Sequence, residues 1–462
     1  MAADRLPREL RRYRAWSIAH RLVDGVRDRE FRALVQRILR HPVHESPSAQ
    51  LLVDGELAFK AMLAAIDDAQ EEVLLETYIL RDDNIGASVH RALANAVGRG
   101  ARVYVLADAV GSIETGEAYW DGLQADGITL RLFHRLRYLP FEALRRDHRK
   151  MIVVDRTIAL TGGMNIGEEY GSSIRRGGGA WRDTLVRVEG TVAQELAAVF
   201  AEGWDRAKGP PLPGLEYVSW SESVPGYEDT MRSLSDRPWS TRTLRARVKQ
   251  QLVQRLGARR DRRRGRRVRR PAEAAPEDSA STALVLDSRP GRGQREVLAV
   301  LASLAGGARK RLWITTPYFA PPSRALALLR AAARRGVDVR LLVPGERTDV
   351  ALVRHAAHGA YSSLLDAGVR VFEYQLATLH AKTVVVDSHA GVIGSTNLDF
   401  RSFWLNAECN VLLFDDGIAQ DLERSFAEDC AHSVEITRSS WSMRSMRHAL
   451  GDWLARQMRW AL

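Results

Sequence analysis

Two segments of this chain, far apart in the sequence, carry the same polar residues at the same spacing. In each, a histidine is followed by a lysine two residues later, an aspartate seven residues later and an asparagine seventeen residues later. The shared residues are His148, Lys150, Asp155 and Asn165 in the first segment, and His380, Lys382, Asp387 and Asn397 in the second. Every pair is offset by 232 residues. Such a recurrence predicts two copies of one structural unit.

The spacing within each motif predicts a strand followed by a tight turn. The run from Lys382 to Val386 is apolar and rich in β-branched residues, so His380 and Lys382 are expected to point to one face. The aspartate has the opposite parity, so we expect it to brace a turn or a salt bridge instead of contacting a phosphate. A glycine before each asparagine permits a turn that returns the amide towards the His-Lys face.

The two copies lie in halves of similar predicted structure. The first half predicts a helix Glu56–Ala69, a strand Val73–Leu80, a helix Ala87–Arg99 and a strand Val103–Ala107. The second half predicts Gln294–Leu304, Leu312–Phe319, Ser323–Arg335 and Val339–Val343 in the same order. Helices that end at glycine and alternate with strands indicate an α/β fold. We therefore predict two similar lobes, each a mixed sheet flanked by helices, related by a pseudo-twofold axis.

The composition separates these lobes and isolates the positive charge. The lobes are predicted at residues 49–210 and 283–435, after a basic helical segment at 1–48 and around a linker at 211–282. Ten arginines and one aspartate between Arg255 and Arg270 give a net charge of +9, against +11 for the whole chain. The basicity is therefore an exposed linker that would attract polyanions, either anionic lipid or nucleic acid.

The paired motifs suit phosphodiester chemistry through a covalent phosphohistidine. One histidine can attack phosphorus while the other protonates the departing alkoxide and later activates the incoming hydroxyl. Lys150, Lys382, Asn165 and Asn397 would supply donors to the developing negative charge. No metal or other cofactor is required, and the two cysteines, Cys409 and Cys430, cannot form a metal cluster or a disulfide framework. They are typical of a reduced intracellular protein.

The alternative is a purely structural role for the motif. A single His-x-Lys on a strand is commonplace, and a strand edge with a capping aspartate would explain one copy. It does not explain why a second copy reproduces the histidine, lysine, aspartate, glycine and asparagine in register, so we favour function.

With these two motifs the sequence resembles the phospholipase D superfamily, over residues 49–210 and 283–435. Within it the chain is similar to bacterial cardiolipin synthases, of the shorter type without spanning helices at the N-terminus. The run Thr316-Pro317-Tyr318-Phe319 and the stretch from Gly394 to Glu408 carry this likeness. The resemblance implies that an acid after each motif orients a catalytic histidine, with Glu408 in the second position and Asp183 in the first.

The resemblance also implies a division of labour between the histidines. It makes His148 the nucleophile and His380 the acid and base, although the near symmetry of the repeat leaves the two assignments open. Ser395 is a further candidate for phosphate binding, whereas Gly163 stands where a serine is common, so one hydroxyl near the first motif is missing.

The reaction implied is transfer of a phosphatidyl group from one phosphatidylglycerol to another, with release of glycerol. The alternatives are a phospholipase D or nuclease that hydrolyses its diester, and an inactive membrane adaptor. A nucleic-acid substrate is disfavoured because the charge lies in a linker, and an adaptor is disfavoured because both His-Lys pairs are intact. One chain carries both motifs, so an oligomer is not required.

Membrane contact is expected to be peripheral, since no window approaches the roughly 20 apolar residues of a spanning helix. Residues 436–462 include a basic amphipathic helix with tryptophans, suited either to an anionic interface or to docking on the core. The stretch Leu10–Leu39 leaves the same two alternatives open. These features predict a peripheral protein on the cytoplasmic face of the bacterial cell membrane.

Overall fold

The computed structural model describes residues 14–39, 41–133, 145–171, 180–215, 281–289 and 294–443. The arginine-rich run at 255–270 lies outside these residues, as do most of the linker and the C-terminal stretch from residue 444 onward. Within the described ranges, no helix has the length and apolar character needed to cross a bilayer.

The N-terminal part of the described chain forms two helices, α1 Arg14–Ala19 and α2 Arg29–Leu39, and a short strand, β1 His44–Glu45. Trp16 and Phe31 are buried against the helix Gln294–Gly307 of the second half. Arg309 donates a hydrogen bond to the carbonyl of His20 at 3.2 Å, just beyond the end of α1. For residues 14–39 the structure therefore shows docking on the core, one of the two alternatives that the sequence left open.

Lobe 1 is a seven-stranded mixed sheet flanked by helices. Its elements are β2 Ala49–Val53, α3 Gly55–Asp67, β3 Glu72–Thr77, α4 Asn84–Gly98, β4 Arg102–Asp108, α5 Glu117–Ala125, β5 Thr129–Phe133, β6 Met151–Val154, β7 Ile158–Gly162, α6 Glu168–Gly171, β8 Trp181–Arg182, β9 Thr184–Glu189 and α7 Thr191–Arg206. The sheet order is β2-β9-β7-β6-β3-β4-β5. Strands β3, β4 and β5 are parallel and the remaining pairs are antiparallel.

Lobe 2 repeats this plan and extends it at both edges. Its elements are β10 Thr282–Ser288, α8 Gln294–Gly307, β11 Arg311–Thr315, α9 Ser323–Arg334, β12 Asp338–Pro344, α10 Ala351–Leu365, β13 Arg370–Tyr374, β14 Thr378–Leu379, β15 Thr383–Val386, β16 Ala390–Gly394, α11 Phe400–Trp404, β17 Glu408–Phe414, α12 Asp416–Ala431, β18 Ser433–Ile436 and α13 Arg438–Ser442. The sheet order is β1-β10-β17-β16-β15-β11-β12-β13-β18. Its seven central strands match those of lobe 1 one for one, which confirms the predicted duplication.

Local sequence signals account for the ends of several elements. Asp83 and Asp415 begin α4 and α12 by accepting hydrogen bonds from the amides of Gly86 and Ile418, at 2.9 and 2.8 Å. Gly100 and Gly336 follow α4 and α9 with φ of 101° and 90°, a conformation that glycine adopts without a steric penalty. The predicted helices and strands therefore appear close to their predicted bounds.

The lobes are joined by a shared apolar core and by short backbone pairings. Side chains from both sheets form one buried cluster, which includes Val153 and Val186 of lobe 1 and Val385 and Val411 of lobe 2. Strand β8 of lobe 1 pairs in parallel with β14 of lobe 2. Asp147 forms the corresponding parallel bridge with Ala407. These two bridges place the motif of each lobe against the other lobe.

Candidate active site

Both motif histidines lie at the junction of the lobes, immediately before the strands β6 and β15. The amide of His148 donates to the carbonyl of Ala407 at 3.0 Å, and the amide of His380 donates to that of Arg182 at 2.7 Å. Each histidine is thus tied to the opposite lobe by an equivalent bond. The strands themselves begin at Met151 and Thr383, so the His-Lys pairs occupy the extended segments that lead into them.

The two acids orient the histidines across the junction. Glu408 of lobe 2 receives the Nδ1 hydrogen bond of His148, with Oε2 at 3.0 Å. Asp183 of lobe 1 receives that of His380, with Oδ2 at 2.7 Å. Since a carboxylate accepts only from a protonated Nδ1, the neutral ring in each pair keeps its lone pair on Nε2. The nitrogen that is left available for proton transfer or attack is therefore Nε2, and each lobe supplies the acid that holds the histidine of the other.

Buried ion pairs hold the segments that carry these acids. Arg182, next to Asp183, bonds to Asp429 of α12 at 2.9 Å and to the hydroxyl of Thr184 at 2.8 Å. Glu408 is the first residue of β17 and pairs in register with Ser288 of β10. The acids are thus fixed by interactions within and between the lobes.

The lysines lie beside their histidines, as the shared parity predicts. Lys382 Nζ lies within 3.0 Å of both ring nitrogens of His380 and donates to the carbonyl of His380, and Lys150 Nζ donates to the carbonyl of His148 at 2.8 Å. Lys150 also lies over the ring of Tyr78, 5.2 Å from its centroid. All four side chains are almost completely buried, so charge on the two lysines would act strongly on a phosphate between the lobes.

Burial shifts the protonation of this cluster towards neutrality. Burial lowers the pKa of His148 to about 4, against the opposing effect of Glu408. It lowers the pKa of Lys150 to about 7 and that of Lys382 to about 8. It raises the pKa of Asp183 to about 6, although Lys382 opposes this. An anion bound between the lobes would favour the charged lysines, because an opposite charge stabilises the protonated form.

The asparagines and Ser395 are buried near the histidines, with different partners. Asn165 accepts from the amide of Ile79 at 3.2 Å and donates to the hydroxyl of Tyr170 at 2.8 Å. Asn397 has its amide oxygen buried without a hydrogen-bond partner in the described part of the chain. Ser395 donates to Glu408 at 2.5 Å and accepts from the amide of Cys409 at 3.0 Å. The hydroxyl of Ser395 thus holds the acid that orients His148, and phosphate binding by Ser395 stays a prediction.

The motif aspartates lie at the far ends of β6 and β15, away from the histidines. Asp155 accepts from the amides of Gln70, Glu71 and Glu72 at 2.8 to 2.9 Å. Asp387 accepts from those of Arg309, Lys310 and Arg311 at 2.7 to 2.8 Å. Both are turn-bracing residues, as their parity predicts, so their inclusion among the catalytic candidates is not supported by their position.

The structure adds aromatic side chains that sequence reasoning missed. Tyr78 meets the ring of His148 edge-on at 5.0 Å between centroids, and Trp181 and Tyr170 lie 5.2 and 5.5 Å from His380. The ring of Tyr318 also meets that of His380 edge-on, at 6.4 Å between centroids. Their position in the sequence could have identified two of them, because Tyr78 and Tyr318 both follow the carboxyl ends of equivalent strands, β3 and β11. Within the described residues, no group of three or more His, Cys, Asp or Glu side chains could hold a metal ion.

Comparison with known proteins agrees with this architecture. The family model for the cardiolipin synthase, phospholipase D-like domain matches residues 62–204 and 301–430. A cardiolipin synthase of Geobacillus kaustophilus is 30% identical over 92% of this chain and 74% of its own length. Cardiolipin synthase A of Pseudomonas putida is 32% identical over 90% of this chain and 75% of its own length.

A solved structure has the same fold at low sequence identity. Phosphatidylserine synthase of Haemophilus influenzae superposes with a TM-score of 0.64, covering 93% of this chain and 97% of its own, at 14% identity. At that identity the likeness concerns the fold alone.

Proposed function

Since the chain belongs to the cardiolipin synthase family with phospholipase D-like domains, we propose that it joins two phosphatidylglycerol molecules into cardiolipin and releases glycerol. The observation that carries this proposal is the pair of buried histidines, each oriented by an acid of the opposite lobe. One chain supplies both halves of the site, so no partner subunit is needed for the chemistry.

The reaction divides into two displacements at one phosphorus atom. First, Nε2 of His148 attacks, the P–N bond forms, and the P–O bond to glycerol breaks while His380 protonates the departing oxygen from Nε2. In the second, His380 takes the proton of the acceptor hydroxyl, whose oxygen attacks phosphorus as the P–N bond breaks. His148 is restored and cardiolipin leaves. Phosphate binding favours protonation of His380, which the first step requires.

Lys150 and Lys382 would bind the two non-bridging oxygens of the phosphoryl group. Their burial beside the histidines makes their attraction to the developing charge stronger than at an exposed surface. The amide groups of Asn165 and Asn397 lie in the same buried region and would limit the geometry of the phosphate. Burial of the histidines also restricts access of water, which favours transfer over hydrolysis.

The substrate places the enzyme at a membrane surface. We propose peripheral association with anionic lipid on the cytoplasmic face of the bacterial cell membrane. The arginine-rich run 255–270 and the basic C-terminal stretch support this, because each would be attracted to anionic head groups.

The proposed activity is tested with purified protein and phosphatidylglycerol vesicles, with single-stranded DNA in a parallel reaction. Cardiolipin and free glycerol in equal amounts are expected, with DNA intact. Phosphatidic acid as the main product would instead indicate a phospholipase D, and cleaved DNA would indicate a nuclease.

The proposed covalent step is tested by trapping an acid-labile, base-stable phosphatidyl adduct after rapid quenching. His380→Ala should accumulate the adduct when the donor carries a good leaving group, because departure then needs no acid, whereas His148→Ala should form none. An adduct in His148→Ala, with none in His380→Ala, would reverse the assignment of the two histidines.

A further inference from the structure

The side of the active site next to His380 reaches an exposed carboxylate. On the side of His380, the hydroxyl of Tyr318 donates to Oδ2 of Asp349, which lies in the exposed loop before α10. The ring of Tyr318 is half-buried and meets the edge of His380, so this pair extends from the histidine to the solvent. Burial lowers the pKa of His380 and of Lys382, and the carboxylate of Asp349 opposes this shift electrostatically.

On the side of His148 the corresponding tyrosine has both acidic and basic neighbours. Tyr78 meets the ring of His148, and burial together with Asp108 raises the pKa of Tyr78 against the opposing effect of Arg401 and Arg146. The hydroxyl of Tyr78 has no hydrogen-bond partner in the part of the chain that the structure describes. The tyrosine beside His380 is therefore the one that is paired with an exposed carboxylate, and this side suits a neutral group that donates hydrogen bonds.

The geometry of displacement assigns a neutral group to the side of His380. A leaving oxygen departs opposite the attacking nitrogen, so glycerol lies next to the histidine that protonates it. By microscopic reversibility the acceptor hydroxyl enters at the same place. The glycerol head group carries further hydroxyls, and a hydroxyl that leaves water needs an acceptor of comparable strength.

We propose that Tyr318 and Asp349 form a polyol subsite that binds the glycerol head group, first as the leaving alcohol and then as the acceptor. This inference rests on the proposed function and deepens it, since it names the part of the substrate that the subsite recognises. Asp349 accepts a hydrogen bond from a glycerol hydroxyl that does not react. Tyr318 fixes the carboxylate and packs against the reacting histidine. A simple monohydric alcohol has no second hydroxyl to offer and gains nothing from the subsite.

The test compares two acceptor alcohols in one exchange assay. Wild-type protein and Asp349→Asn are given phosphatidylglycerol vesicles with either labelled glycerol or labelled ethanol, and labelled phosphatidyl products are measured. Loss of the charged acceptor should raise KM for glycerol about tenfold, as expected for one hydrogen bond to a charged group. KM for ethanol should stay within about twofold of wild type, because an effect of the lost charge on His380 would change kcat for both alcohols alike. Tyr318→Phe keeps the ring and should change KM for glycerol in the same direction.

Glu346→Gln is the matched control, because it removes the same charge from an exposed position of the same loop. Glu346→Gln should leave KM for both acceptor alcohols unchanged. An equal rise in KM for glycerol and for ethanol in Asp349→Asn would overturn the polyol subsite. Unchanged KM for glycerol would overturn it too.

The proposed function fails separately, if wild-type protein makes no cardiolipin while exchange with alcohols persists. In that case the comparison of glycerol with ethanol still decides the subsite. If wild-type protein transfers to neither alcohol, the polyol subsite is overturned.

Discussion

Replacing Gly163 with serine should slow phosphatidyl transfer about a hundredfold, although the second motif carries a serine at the equivalent position. A Cβ atom at residue 163 would lie 2.2 Å from Oδ1 of Asp183. Carbon and oxygen atoms that are not bonded need about 1 Å more than this. Asp183 must therefore move, and it is the residue that orients His380.

The magnitude follows from that displacement. The bond between Asp183 and Nδ1 of His380 is 2.7 Å long, so a withdrawal of about 1 Å removes it as a hydrogen bond. A misplacement of this size at a catalytic group costs about 10²-fold in rate, or about 2.7 kcal/mol of transition-state stabilisation. Lobe 2 avoids the conflict because Ser395 is paired with the longer Glu408, to which it donates a hydrogen bond.

The assay measures kcat for cardiolipin formation in Gly163→Ser, Gly163→Ala and the double variant Gly163→Ser/Asp183→Glu. Gly163→Ala should match the serine variant, because the Cβ atom alone causes the conflict. The double variant reproduces the pairing of Ser395 with Glu408 and should recover at least part of the rate. Far-ultraviolet circular dichroism checks the fold of each variant. Wild-type kcat in Gly163→Ser, or no recovery in the double variant, would refute this reasoning.

Two further predictions concern the free energy of unfolding and the pH dependence of catalysis. Asp387→Ala removes the acceptor of three backbone amides and should lower the free energy of unfolding by about 2 kcal/mol. Urea denaturation measures the free energy of unfolding, with Asp421→Ala as the control variant. An equally large decrease in both variants would contradict the prediction. The kcat of folded Asp387→Ala should change less than about twofold. Because the pKa of Lys150 is about 7 and that of Lys382 about 8, kcat/KM should fall as the pH rises through these values and the ammonium groups are lost. The kcat should begin to fall at a higher pH than kcat/KM, since bound phosphate favours the charged lysines. A kcat/KM that is flat up to about pH 9 would be inconsistent with phosphate binding by these lysines.

Much of the site could be predicted from the sequence because it depends on local spacing. The parity of a strand put Lys382 beside His380 and separated Asp387 from both, and the structure agrees in each case. The contact that the Ser395 hydroxyl makes was not predicted, and its role in phosphate binding stays a prediction. Its partner is Glu408, thirteen residues later, and only the pairing of β16 with β17 brings the two together.

The assignment of acids to histidines depends on tertiary structure in the same way. The contact between His148 and Glu408 joins residues 260 positions apart, and that between His380 and Asp183 joins residues 197 apart. A sequence motif does not show which residues of one lobe contact the other lobe. Since each acid follows a motif, sequence alone would allow pairing within a lobe as readily as pairing between lobes.

The sequence by itself determined the duplication, the order of strands and helices, and the two His-Lys pairs, because backbone preference and side-chain periodicity act over a few residues. The tertiary structure alone decided the crosswise acids, the docking of residues 14–39 on lobe 2 and the aromatic surroundings of the histidines. It also placed Asp349 where its charge acts on His380. Burial and electrostatic fields arise from residues that only the packed lobes bring together, and a near-symmetric repeat acquires unequal histidines in this way.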